Sequence, residues 1–152
     1  MTETMDRIID LAAQGYCCSQ LLLQLALDLH GGDNPDLIRA NGALCRGHGS
    51  SEGVCGLLQG GNLVLGLYLA GPPNNWSHEY FATALTEFNE WFAQQNETRS
   101  GITCAAIQGG PSTSPADFGR CRYLLTMVWN KLYELLTASG LDLTIPPGEH
   151  TF

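Results

Sequence analysis

The sequence predicts an all-α protein, a bundle of about four main helices with short accessory ones. Apolar residues recur at helical spacing from Met5 onward. Glycine and proline clusters cut the chain into helix-sized pieces. No segment of any weight alternates apolar and polar residues as a strand would; Leu141–Ile145 is the one short candidate. A chain of 152 residues suffices for one domain, 1–152, with a core over about 5–140 and an irregular tail at 141–152.

Met5, Ile8, Ile9, Leu11 and Ala12 predict a first helix over about 3–14, interrupted at Gly15 and Tyr16. A second helix starts near Cys17 and runs to His30, with Cys18, Leu21, Leu22, Leu25 and Leu29 sharing a face. Asn34 followed by Pro35 is a helix start, and a short helix to about Leu44 follows. A glycine-rich loop, with Gly47, Gly49 and Gly53, then hands over to a helix opened by Cys55 and ending near Ala70. After the linker around Gly71–Asn75, Ser77 caps a helix striped by Tyr80, Phe81, Leu85, Phe88 and Phe92; the stripe is core, and Trp91 lies off it. Cys104–Gln108 makes one or two helical turns. Ser114 and Pro115 start the last long helix, whose inward stripe is Cys121, Leu124, Leu125, Val128, Leu132 and Leu135. Gly140 is its C-terminal cap.

The composition is 44% apolar and only 14% charged, with net charge -8. The seven Lys and Arg are scattered, so nothing neutralises phosphates and nucleic acid is not an expected partner. The longest uncharged apolar run, Val54 to Pro73, is broken by glycines, so no membrane span is expected. Met1–Asp10 carries charges and no apolar core, which leads to the expectation of a cytoplasmic protein. In that compartment six cysteines point to metal binding or catalysis rather than to a disulfide framework. Trp76, Trp91 and Trp129 do not fit one inward stripe, and charge is sparse; a homodimer joined through a helix face is expected.

Cys18 and Cys55 open helices after glycine-containing breaks, and Cys104 opens a short helical turn. Cys121 faces inward near the start of the last helix. N–H groups in a first helical turn lack intrahelical partners and stabilise a thiolate. If these helix ends meet, four sulfurs converge among backbone donors, the ligand set of an iron–sulfur cluster. Zinc also accepts four thiolates, although no pair here has the Cys-x-x-Cys spacing common in structural zinc sites. His48, in the central loop, is a possible extra ligand but reads more simply as a solvated histidine.

The order and context of these cysteines resemble the redox-active family named for its C-GCAxxG-C-C pattern. Cys55, Gly56 and Gly60 stand in for its central motif, with Leu57 at its usual alanine. Cys18, before Ser19 and Gln20, matches the family's first cysteine; Cys104 and Cys121 match the third and the last. The resemblance covers roughly residues 5–136 and leaves Cys17 and Cys45 as extras. The family is distantly similar to split-Soret cytochrome c, which implies an iron–sulfur site; without Cys-x-x-Cys-His in this chain, covalent haem is not expected.

The leading expectation is a small redox or electron-transfer accessory protein with a two-iron or four-iron cluster on Cys18, Cys55, Cys104 and Cys121, served by a redox partner protein. The alternatives are a metal-free thiol–disulfide protein, in which Cys17 or Cys18 attacks and Cys45 or Cys55 resolves, and a zinc- or copper-binding module. Whether it is an enzyme is left open by the sequence.

Overall fold

The computed structural model describes residues 2–73, 77–109 and 119–150. Seven α-helices follow one another: α1 (Thr2–Ala13), α2 (Cys18–Asp28), α3 (Pro35–Asn41), α4 (Gly56–Leu69), α5 (Phe81–Ala93), α6 (Cys104–Gln108) and α7 (Gly119–Ala138). Short 3-10 turns lie at Gly42–Leu44, Asn96–Thr98 and Pro147–Glu149. The described residues contain no strand, as the all-α reading expects; Leu141–Ile145 is a turn in which the Asp142 side chain accepts the Thr144 N–H at 3.0 Å.

The pair α2 and α4 forms the middle of the molecule, and α4 also packs on α5 and α7. Every residue of α2 from Leu21 to Leu27 is buried. That is what a helix covered on several sides requires, since each leucine removed from water contributes about 1.5–3 kcal/mol. On α7 the whole stripe expected from the sequence is buried. Helix α1 covers one edge with Ile8 and Leu11 and is tied to α2 by Arg7 and Asp28, 2.7 Å apart. No described helix is long and apolar enough to cross a membrane.

Two expectations need adjustment. Ser77 does not cap α5: that helix starts at Phe81, and the His78 ring nitrogen and carbonyl take the N–H groups of Tyr80 and Phe81 at 3.0 and 2.9 Å. Trp91 is half-buried and stacks on Phe88, centroids 6.2 Å apart, and Trp129 is buried in the core. Trp129 therefore no longer argues for a dimer, and Trp76 lies outside the described residues. The expected helix start at Ser114 and Pro115 also lies outside them.

Candidate functional site

Each cysteine is placed by a local device. Cys17 is the cap residue of α2; its N–H donates to Gln20 Oε1 at 3.2 Å, while Gln20 Nε2 donates to the Ile38 carbonyl at 3.0 Å and fastens α3 to the same end. Cys18 is the first residue of α2 and Cys55 the cap residue of α4. Thr103 caps α6 by accepting the Ala106 N–H at 3.1 Å, which leaves Cys104 in the first turn. An antiparallel bridge between Val54 and Thr103 joins these starts: Cys55 N–H donates to Ile102 at 2.8 Å and Cys104 N–H to Gly53 at 3.0 Å. Cys55 and Cys104, far apart in the chain, are thus brought side by side by backbone bonds.

The glycines make the approach possible. A Cβ on Gly56 would stand 2.5 Å from Cys18 Sγ, and one on Gly60 would stand 2.8 Å from the Ser19 Cα. The start of α4 can therefore lie against the start of α2 only with bare backbone at both places. Gly47, at φ +58, passes so close to Cys104 that a Cβ would meet the cysteine's own at 2.8 Å.

Cys18, Cys55, Cys104 and Cys121 line one small cavity together with Cys17, Arg46 and Gln108. The remaining wall, Gly56, Leu57 and Ile107, is apolar, and among the described residues no carboxylate or imidazole lines the cavity. Its volume is about 20 Å³, room for one water-sized body. Burial pushes all four thiols up: Cys18 to about 11 and Cys55 to about 12, with Cys104 and Cys121 raised in the same direction. Donors oppose this at every sulfur. The backbone N–H groups of Arg46 and Ser19 address Cys18, and those of Leu57 and Leu58 address Cys55. The Ser51 hydroxyl faces Cys104, and Gln108 Nε2 donates to Cys121 Sγ at 3.6 Å. The set is apolar enough to keep free thiols protonated and has donors placed for sulfurs that carry negative charge.

Cys17 and Cys45 form a disulfide, Cα atoms 5.8 Å apart, across a separation of 28 residues. Metal binding or catalysis was expected ahead of a disulfide framework, and this pair is one of those that the thiol–disulfide alternative allowed. The 3-10 turn Gly42–Leu44 delivers Cys45, whose N–H donates to the Gly42 carbonyl at 3.2 Å, to the capped start of α2. A signal existed: four site cysteines out of six leave an even remainder. His48 is exposed at φ +59 and does not line the cavity, in line with the solvated reading. Arg46, Ser51 and Gln108 were missed. Gln108 stands four residues after Cys104 on α6, hence on the same face, and that spacing could have found it.

A sulfur-only donor set with N–H and O–H donors around it suits a thiophilic metal or an iron–sulfur cluster. Among the described residues, however, no three His, Cys, Asp or Glu side chains are arranged to hold a metal ion. The donor chemistry fits such a group, whereas the cavity, at about 20 Å³, has room for only a water-sized body, so the site must rearrange to admit one.

The family model described as "Putative redox-active protein (C_GCAxxG_C_C)" matches residues 16–135, well over half of the chain. No curated protein and no solved structure matches it.

Proposed function

From the premise that the chain belongs to the C_GCAxxG_C_C redox-active family, we propose that Cys18, Cys55, Cys104 and Cys121 act as one unit holding an iron–sulfur cluster for electron transfer to a partner protein. One observation carries this reading: four thiols from four separate helices line a single cavity, each with its own hydrogen-bond donors. A cluster bound there would supply one-electron transfer without moving atoms. The chain's own part is to hold four thiolates, offset their charge with the N–H groups of Arg46, Ser19, Leu57 and Leu58, and keep water out with Leu57 and Ile107.

The same surroundings weigh against thiol–disulfide exchange at Cys18 and Cys55. Exchange needs a thiolate, and thiols buried to this degree hold their protons at neutral pH. A metal centre removes that obstacle because coordination displaces the proton.

The test is metal and acid-labile sulfide analysis of protein purified without oxygen. The expected outcome is a coloured protein with iron and sulfide in stoichiometric amounts. Zinc with no sulfide would move the reading to a zinc module, and a colourless protein with four titratable thiols and no metal would end it.

A further inference from the structure

We propose that the Cys17–Cys45 pair is a second redox site, a reversible disulfide that exchanges with dithiols and clamps the Arg46 backbone over Cys18. The inference rests on Cys18 being a thiol of the proposed site, and its test is read on metal-free protein so that the two can fail separately.

The covalent neighbours carry the inference. Cys17 precedes Cys18, and Cys45 precedes Arg46, which lines the same small cavity as Cys18. The disulfide therefore ties the two dipeptides together, with one member of each in the bridge and the other on the cavity wall. Cys17 and Arg46 line the four-thiol cavity; Cys45 is half-buried and does not. The bridge thus has an inner sulfur on the cavity wall and an outer one on the loop side. Ser19 Oγ stands 3.5 Å from Cys17 Sγ and 4.0 Å from Cys45 Sγ, with the Asn41 carbonyl 3.3 Å away as its acceptor. A hydroxyl within reach of both sulfurs gives either of them a partner once they part.

The loop after Cys45 is built to respond. Arg46, His48 and Ser51 all have positive φ, an unfavourable backbone for residues with side chains. Bonds from Gly49 to Cys45, Ser51 to Arg46 and Gly53 to Gly47 knit it into one unit. That unit is anchored to α6 through Ala105 and Cys104, and its start is joined to α2 by the disulfide. Cutting the disulfide leaves the α6 anchor in place and releases Arg46 from Cys18.

In the exchange, one thiolate of a dithiol attacks Cys45 Sγ. The bond to Cys17 Sγ breaks, its electron pair stays on Cys17, and that sulfur takes up a proton. The second thiolate then attacks the mixed disulfide, expelling Cys45 as a thiol. Two electrons have passed to the pair, and the dithiol leaves as a cyclic disulfide.

The experiment is iodoacetamide labelling of the full-length, metal-free chain under native conditions, read by mass spectrometry at each cysteine before and after dithiothreitol. Reduction is expected to add labels at Cys17 and Cys45 without denaturant and to speed labelling of Cys18 about tenfold, the scale of a local opening. A pair that dithiothreitol reduces only after denaturation, or an unchanged Cys18 rate after reduction, would overturn the proposal. In the Cys17→Ser, Cys45→Ser double variant the fast Cys18 rate should persist in oxidising buffer; a rate equal to that of the oxidised native chain overturns the clamp. The measurement on the reduced native chain decides the matter if the variant does not fold.

Discussion

In the first half of α4, Gly56–Gly61, three glycines let neighbours approach bare backbone beside the buried Leu57 and Leu58, whereas the second half, Asn62–Leu69, meets its neighbours through large side chains. In the first half Gly56 accommodates the Cys18 sulfur, Gly60 the Ser19 backbone, and Gly61 the ring of Phe88. In the second half Val64, Leu65, Tyr68 and Leu69 are almost wholly buried, and the Tyr68 hydroxyl donates to the Ala26 and Leu143 carbonyls, both at 3.1 Å. Gly66, on that half, has open space where its Cβ would be. One helix thus has an end specialised for close approach of sulfur and an end specialised for filling volume. The site is at the first end because donors from the backbone reach sulfur only where side chains do not intervene.

The largest expected effect separates the ends by function. If the proposed cluster sits on these four thiols, replacing Cys18, Cys55, Cys104 or Cys121 by Ala should cost most of it, while Cys17→Ala and Cys45→Ala should retain more than any of these four. Iron and sulfide occupancy across six identically prepared variants checks it. An empty Cys45→Ala beside a full Cys104→Ala would show that the ligand set is misassigned.

The thiols of the site end also predict a pH response. Cys18 and Cys55 are raised in the folded chain from an ordinary 9.0 to about 11 and about 12. Their stabilising effect is fully present below the unfolded value and is lost as pH rises through the folded ones. The metal-free chain should therefore lose stability between about pH 9 and pH 12 in urea titrations, whereas the loaded chain, its thiols already deprotonated, should lose less there. Equal slopes for the two forms would contradict this.

At the filled end, Leu65→Ala should destabilise the fold by about 2–5 kcal/mol, as loss of a buried leucine does. Cofactor per folded chain should stay unchanged, and a selective loss of cofactor would show that the two ends are not separable. Gly60→Ala should cost about 1–3 kcal/mol, because its methyl group meets the Ser19 backbone rather than a movable side chain. The smallest effect has the opposite sign: Gly66→Ala should stabilise α4 by about 0.5–1 kcal/mol, the helix preference of alanine over glycine in open space. Thermal or chemical denaturation of the two glycine variants side by side is the sharpest test of the comparison, which fails if both shift the same way.

Much of this was legible in the residues alone. Asn34 with Pro35, the apolar stripe from Cys121 to Leu135 and the left-handed Gly140 mark helix ends and faces through interactions a few residues long. Cys104–Gln108 emerges as a helix with the bounds its sequence suggests. The gathering of four cysteines was legible too, because each opens a helix or sits near the start of one, and helix starts at one end of a bundle converge. Tertiary structure alone decided the rest. Gly60 and Gly66 are the same residue in the same helix, and only their neighbours make one indispensable and the other replaceable. The Val54–Thr103 bridge joins residues whose own segments carry no mark of their partner, and the sequence left open which cysteine Cys17 would join. His78 takes the capping role from Ser77 through the turn that the chain makes before α5. Periodicity and capping act within a few residues and so are written locally, whereas pairing across 28 or more residues depends on how helices cross, which is settled by the volume and shape of every side chain between them.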